Sequence, residues 1–313
     1  MRTILLSFAF ILSGTSLMSQ NSAELKYNLE KNKAYRFKSV SEQNISQTVN
    51  GIQQNTNAKT NSTMSLKMMD ATPEFIIAEV RFDTIITQTN AMGVTTNINS
   101  TSEGNIQSSS MSDVMSCIMN RLSKNGLFLK MDYSGRVVEL INTKMLSDII
   151  LKDTSLITGQ TAAVVKTQIK NMVSDKALKT MVESLTYYLP GRQVSKGDKW
   201  EIFQATNSGG MALDITTNYL LTDIQGNKAS IVAEANIRAS ENAGPMEYGG
   251  ARITYGEIKG ISKSEMLVDA GTGLLMKSTE KNHITGSLNV SAPGVNMQIP
   301  LEIDSSSKVL ALP

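Results

Sequence analysis

The chain has 313 residues, 41% hydrophobic and 19% charged, an ordinary globular balance that excludes wholesale disorder and a polytopic membrane protein. Its 30 basic and 28 acidic residues leave a formal charge of +2 with no basic run, so no nucleic-acid partner is expected. One histidine, His283, and one cysteine, Cys117, remove the raw material for His-rich or thiolate metal sites, an intramolecular disulfide framework and most His-based catalysis.

At the N-terminus, Arg2 precedes an apolar run from Ile4 to Leu12, and small and polar residues then lead to Ser19 and Gln20. That order predicts a secretory signal peptide over residues 1–19, cleaved after Ser19. The run is far short of the roughly 20 residues that span a bilayer, so no transmembrane segment is expected after its removal. The product is expected in the periplasm or outside the cell. It is not expected to be a lipoprotein, because the single cysteine lies far downstream at position 117.

Residues 20–313 are expected to form a single α+β domain: strands over 20–110, mainly helices over 111–190 and strands over 191–313. From Tyr35 to Ile106 there is no helical period, and Asn50-Gly51 reads as a hairpin turn. Ile76, Ala78, Val80 and Phe82 alternate with Ile77, Glu79, Arg81 and Asp83, giving one buried and one largely wet face. The uncharged polar stretches on either side, Ser39–Thr63 and Thr84–Ser110, read as long antiparallel strands with Thr, Asn and Ser on solvated faces.

Ser110 to Asp113 has capping-box spacing, and Val114, Ile118 and Leu122 follow at helical intervals until Asn125-Gly126. Tyr133-Ser134-Gly135 predicts a hairpin within Leu127–Leu140. Helices are predicted over 143–151 and 161–172. A last helix, capped by Ser174-Asp175, carries Leu178, Met181, Val182, Leu185 and Leu189 as one stripe and ends at Pro190-Gly191. Beyond it, Met211, Leu213, Ile215, Thr217, Tyr219 and Leu221 alternate, as do Ile231, Ala233, Ala235 and Ile237 after a Gln225-Gly226-Asn227 turn. Val295 to Ile303 forms a final strand, and Pro300 on its outward set predicts a sheet edge. Lys31 to Tyr35 and Lys196 to Trp200 each place a turn before an aromatic strand start, an internal echo consistent with helices inserted between two halves of one sheet system.

No nucleophile elbow, phosphate loop, zinc-protease, Cys-x-x-Cys or calcium-loop motif is present, and no pair of carboxylates stands out. No catalytic residue, metal ligand or cofactor is therefore assigned, and the protein is expected not to be an enzyme. His283 reads as a surface or wall residue of a strand, and Cys117 as a small buried hydrophobe. The 18 methionines include Met111, Met115 and Met119 on one helical stripe; flexible thioethers suit either ordinary core filling or a pocket for an irregular apolar ligand. Trp200, the only tryptophan, reads as a buried strand anchor or as a ligand platform.

The stretch from Tyr187-Tyr188-Leu189-Pro190-Gly191 through Val194 to Gly197-Asp198-Lys199-Trp200 resembles the signature of an uncharacterised family of exported proteins typical of Bacteroidota. The opening Leu25 to Phe37 is similar to that family's strand-turn-aromatic start, with Asn32 where the family usually has glycine. The resemblance carries no assigned activity and so implies no functional residues. The expected architecture is a large curved antiparallel sheet or incomplete β-barrel with the central helices packed on its concave side. It resembles the periplasmic lipoprotein-carrier and mycobacterial lipid-carrier folds, whose strands pass through an Asp-x-x-Thr-Gly-Leu turn like Asp269 to Leu274. The function expected from this is non-enzymatic binding of a lipid or other apolar or amphipathic small molecule between sheet and helices. Met111, Met115, Met119 and Trp200 are the candidate ligand residues. The alternative is a structural or interaction protein of the cell envelope with a protein or glycan partner.

Overall fold

The computed structural model describes residues 22–159, 162–208, 211–241, 243–248 and 250–313, so the expected signal peptide lies outside the described residues. In chain order, β1 (Ser22–Leu25), β2 (Ala34–Val49), β3 (Ile52–Ala71), β4 (Ile76–Ala91) and β5 (Val94–Asn99) come first. They are followed by α1 (Met111–Lys124), β6 (Leu127–Met131), β7 (Val137–Leu140), α2 (Thr143–Ile150), a 3-10 turn at Thr154–Leu156, α3 (Ala162–Met172) and α4 (Asp175–Thr186). The remainder is strand: β8 (Arg192–Ser195), β9 (Lys199–Ser208), β10 (Met211–Gln225), β11 (Lys228–Ala239), β12 (Met246–Tyr248), β13 (Ala251–Tyr255), β14 (Lys259–Asp269), β15 (Leu275–Ala292) and β16 (Val295–Leu312).

Local chemistry accounts for most of these boundaries. Asn50 and Gly51 take φ of 51° and 78°, the two successive left-handed residues that a tight hairpin turn needs between β2 and β3. Met92 and Gly93 do the same between β4 and β5, a turn the sequence hides because methionine is an uncommon left-handed residue. Ser174 caps α4 by accepting a hydrogen bond from the Ala177 backbone N–H. Ser110 does occupy the N-cap position of α1, yet its hydroxyl makes no capping bond; Asp113 supplies negative charge to the first turn instead. The last helix stops at Thr186, short of the expected Leu189, and Leu189 is buried on the connection to β8.

Among the described residues every strand ladder is antiparallel, and the main sheet has 14 strands, 11 of them along the path β7-β6-β4-β3-β2-β16-β15-β14-β11-β10-β9, with β5 paired to β4, β13 to β15 and β12 to β13. Strand β4 is shared: its first half pairs with β6 and its second half with β5. The sheet curves strongly but does not close into a barrel. Instead α4 touches the terminal strand β7 on one side and the terminal strand β9 on the other. Two hydrogen bonds fix the helix and the segment after it there. The Val137 backbone N–H of β7 donates to Glu183 Oε1 at 2.8 Å, and Trp200 Nε1 of β9 donates to the Tyr188 carbonyl at 3.0 Å. The helix and the residues that follow it thus stand in the gap, and Glu183 takes up a β7 backbone N–H that strand pairing would otherwise have used.

The expectation that Pro300 marks an edge strand is corrected: β16 lies inside the sheet, between β15 and β2. The proline is accommodated because pairing with β2 begins only at Leu301, opposite Gln47, so its missing N–H falls where that side of the strand has no ladder. The internal echo also stops at the turns. Asn32 and Gly197 have φ of 64° and 94°, but β2 is central whereas β9 is terminal.

The main core lies between the concave face and the helices, with Leu66, Ile76 and Leu129 from the sheet meeting Ile118, Leu146, Ile169 and Val182 from α1 to α4. The N-terminal segment seals that end. Leu25, Tyr27 and Leu29 are buried, the Tyr27 N–H donates to the Tyr133 carbonyl, the Asn28 N–H to that of Thr272, and the Asn32 N–H to that of Met68. Gly273 in the β14–β15 turn has φ of 75°, and a Cβ there would lie 2.3 Å from the Lys26 carbonyl oxygen, so only glycine allows this strap its path. At the other end of the sheet a second, smaller cluster joins Leu213, Ile237, Ile258, Ile284, Leu301 and Ile303 as the curled sheet packs on itself.

Candidate functional site

Cross-strand register aligns the inward residues into rows. One row is Ile215, Ile237, Gly260, Ile284 and Ile303, part of the smaller apolar cluster. The next runs Thr217, Ala235, Ser262, Asn282, and the next Tyr219, Ala233, Ser264, Glu280, Ser307. Then Met266, Leu275 and Val309 return the face to apolar character under the helices. Two apolar cores are therefore separated by a belt of small and polar side chains, and alanine and serine are too short to meet the residues opposite. The space left is a cavity of about 350 Å³, roofed by Glu183 and Leu185 from the end of α4 and by Tyr187 and Tyr188 just after it.

The belt is ordered. Ser262 Oγ donates to Glu280 Oε1 at 2.8 Å and Ser307 Oγ donates to Glu280 Oε2 at 3.4 Å. Asn282, in the amide orientation that satisfies both its ends, donates to Glu280 Oε1 at 3.0 Å. All three donors are neutral, and among the described residues no Lys, Arg or His pairs with Glu280. The second carboxylate, Glu183, has Lys179 3.7 Å away, yet burial pushes its carboxyl above the usual range, outweighing the Val137 N–H and the nearby cations. Among the described residues no basic side chain lines the cavity.

Aromatic side chains make its lower wall. Tyr219 stacks on Trp200 with ring centroids 5.4 Å apart and planes 4° from parallel. Tyr188 donates its hydroxyl to the Gly273 carbonyl at 2.8 Å, and burial pushes the phenols of Tyr188 and Tyr219 well up. The Asp269 to Leu274 turn beneath holds its shape because Asp269 Oδ1 accepts from both the N–H and the hydroxyl of Thr272, each at 2.8 Å.

The residues named from sequence are dispersed relative to this cavity. Met111 is exposed at the start of α1, Met115 is half-buried, and Met119 is buried in the main core; none lines the cavity. Trp200 is half-buried rather than fully buried, and it reaches the cavity only through its stack on Tyr219. Its edge position explains this: β9 has a neighbour on one side only. Cys117 is buried on α1. His283 lies on the exposed outer face of β15, with Nδ1 2.8 Å from Asp304 and 3.9 Å from Glu302, so the Asp304 hydrogen bond raises its pKa above 6.5. These three exposed side chains could together offer a metal ligand set, with donor atoms within 4.8 Å of one another.

Glu280, Ser262 and Ser264 were not singled out by sequence reasoning, although a signal exists: the β10 alternation already puts Thr217 and Tyr219 on the face of Ile215, and Ser262-x-Ser264-x-Met266 repeats that alternation on β14. A broader concavity of about 910 Å³ is lined by Lys199, Lys263 and Lys281 with Glu234 and Glu265 from the outward set of the same strands, and it also reaches Ser264, Glu280 and Ser307 of the belt.

No helix among the described residues is long and apolar enough to cross a membrane. A family described as "Family of unknown function (DUF6263)" matches residues 73–275. Among curated proteins none matches. Among solved structures, lipovitellin, determined for its lipid–protein interactions, is similar with a TM-score of 0.50 at 9% identity, covering 91% of this chain and 26% of that one. The chain thus spans about a quarter of the lipovitellin chain, and the likeness shows the fold alone. An outer-membrane channel from Pseudomonas putida F1 has a TM-score of 0.21 at 7% identity, covering 92% of this chain and 98% of that one. The translocator domain of the autotransporter NalP from Neisseria meningitidis has 0.22 at 6% identity, covering 91% and 90%. Neither is similar enough to carry an argument.

Proposed function

The chain belongs to the DUF6263 family of unknown function, and from the geometry described above we propose that it is a non-enzymatic, exported protein that binds a small amphipathic ligand between α4 and the concave sheet. The observation that carries this reading is the two-character wall of the cavity. Met266, Leu275, Val309 and Leu185 offer apolar surface, while Ser262, Ser264, Asn282 and Glu280 offer fixed polar groups within the same cavity. A wholly apolar ligand would leave the remaining hydrogen-bonding capacity of the polar belt unused, and a wholly polar one would waste the apolar wall. Its volume suits one small molecule or one chain rather than a bulky multi-chain lipid. The fold-level likeness to lipovitellin is in keeping with an amphipathic ligand. Export rests on the basic-then-apolar order of residues 1–19.

Native mass spectrometry of the protein purified from its own host tests the reading. A bound small molecule that is released by filling the cavity with Ala235→Leu is the expected result. Protein that carries no ligand and takes none up from a lipid extract would overturn it.

A second reading, a structural or interaction protein of the envelope, draws on Ile52, Met92 and Val94. These are 67%, 76% and 64% exposed at hairpin tips on one end of the sheet. Replacing all three by serine would abolish recovery of a stoichiometric envelope partner if that reading holds, and would leave ligand content untouched if it does not.

A further inference from the structure

We propose that the ligand's polar end is a cation, a protonated amine or its quaternary analogue, held against Glu280; this rests on the ligand-binding reading and specifies its chemistry. Three observations converge on it. Among the described residues the cavity wall contains two carboxylates and no Lys, Arg or His, so the charge it offers a ligand is negative. Glu280 is oriented by Ser262, Ser307 and Asn282, all neutral donors, which fix the carboxylate in place without cancelling its charge. Tyr219 and Tyr188 line the same cavity, and aromatic rings add attraction for a cation that has left bulk water.

Among the described residues no Lys, Arg or His forms an ion pair with Glu280, whose side chain lines the cavity. Glu280 is half-buried, and a carboxylate held by neutral donors alone keeps its charge available to a positive group of a ligand. Glu183 differs, since Lys179 already stands beside it. An anionic headgroup, a fatty acid or a phosphate, would meet repulsion from Glu280 and find no basic partner. An alcohol would be accepted but not specially favoured. The whole-molecule charge of +2 acts the other way, toward anions, so a preference for cations reports the local site and not the overall field.

The test uses three probes with one chain and three heads: octylammonium, octanol and octanoate. Binding is followed by calorimetry and by the fluorescence of Trp200, whose stack on Tyr219 borders the cavity. Octylammonium is expected to bind about tenfold more tightly than octanol, with octanoate weakest. In Glu280→Gln, checked for an intact thermal transition, the amine and the alcohol are expected to bind alike. Wild-type binding of octanol or octanoate equal to or tighter than that of octylammonium would overturn the cation assignment and leave ligand binding standing. An amine preference that survives Glu280→Gln would overturn the role of Glu280. Failure of all three probes to bind wild-type protein would overturn the ligand-binding reading together with this one. The wild-type ranking decides the sign even if the variant does not fold.

Discussion

The sealed end of the curved sheet and its middle belt are built on the same alternating strands and have opposite interiors. At the sealed end the inward positions are Leu66, Ile76, Ala78, Val80 and Leu129, met by helices α1 to α4 and by the strap of Leu25, Tyr27 and Leu29. In the belt the equivalent positions are Ala233, Ala235, Ser262, Ser264, Ser278 and Ser307. Alternation decides which side chains point inward; their length decides whether they meet. Large apolar residues interdigitate to a dense core, whereas short alanine and serine residues leave the space that becomes a cavity.

The largest expected effect lies at the sealed end. Tyr27 is buried and its hydroxyl donates to the Thr186 carbonyl at 3.0 Å, so it joins the strap to the end of α4. Tyr27→Ala is expected to cost about 4 kcal/mol in denaturant unfolding, and Tyr27→Phe about 1 kcal/mol. A loss below about 1 kcal/mol for the alanine variant would mean that the strap is dispensable.

Adding volume separates the two regions directly. Ala78→Leu in the dense core is expected to destabilise by about 2 kcal/mol through overpacking, while Ala235→Leu fills empty space and should change stability by less than about 1 kcal/mol. Equal losses at the two sites would show that the belt is packed as tightly as the core.

Trp200 sits at the border between them. Losing its stack on Tyr219 and its hydrogen bond to Tyr188 should cost about 2 kcal/mol in Trp200→Ala, less than a fully buried tryptophan would. Iodide should quench its fluorescence partially. Complete protection from iodide would place it in the core instead.

The smallest effect belongs to the outer face. Protonated His283 is stabilised by Asp304, so its pKa in the folded protein is raised above 6.5. The stabilisation is therefore present in full below the unfolded value and is lost as pH rises through the folded one. NMR titration should find the raised value, and Asp304→Asn should lower it; an unchanged value in that variant would exclude Asp304 as the cause.

The α+β class, the order of strands, helices and strands, the Asn50-Gly51 turn, the Ser174 cap and the inward identity of Ile76, Ala78, Val80 and Phe82 were legible in the sequence, because each depends on residues within a few positions of one another. The resemblance carried by Tyr187 to Trp200 likewise pointed to an uncharacterised family, and residues 73–275 match one. The methionine stripe was legible only as a helical stripe. Periodicity says that Met115 and Met119 face inward but cannot say whether inward means a core or a cavity, and here Met119 meets a core.

What tertiary structure alone decided is register and closure. Glu280 lies 18 residues from Ser262 and 27 from Ser307, and no local pattern states that strands β14, β15 and β16 bring the two serines to one carboxylate. Nor does any local pattern place α4 between β7 and β9, because the positions of the sheet's ends depend on the curvature accumulated over every strand between them. Proline 300 makes the same point in one residue: its missing N–H foretold an edge, and the fold supplied an interior strand whose second ladder begins one residue later. Side-chain chemistry, which acts over neighbours, was written in the chain; the meeting of distant strands, which sets the cavity and its charge, was written only in their packing.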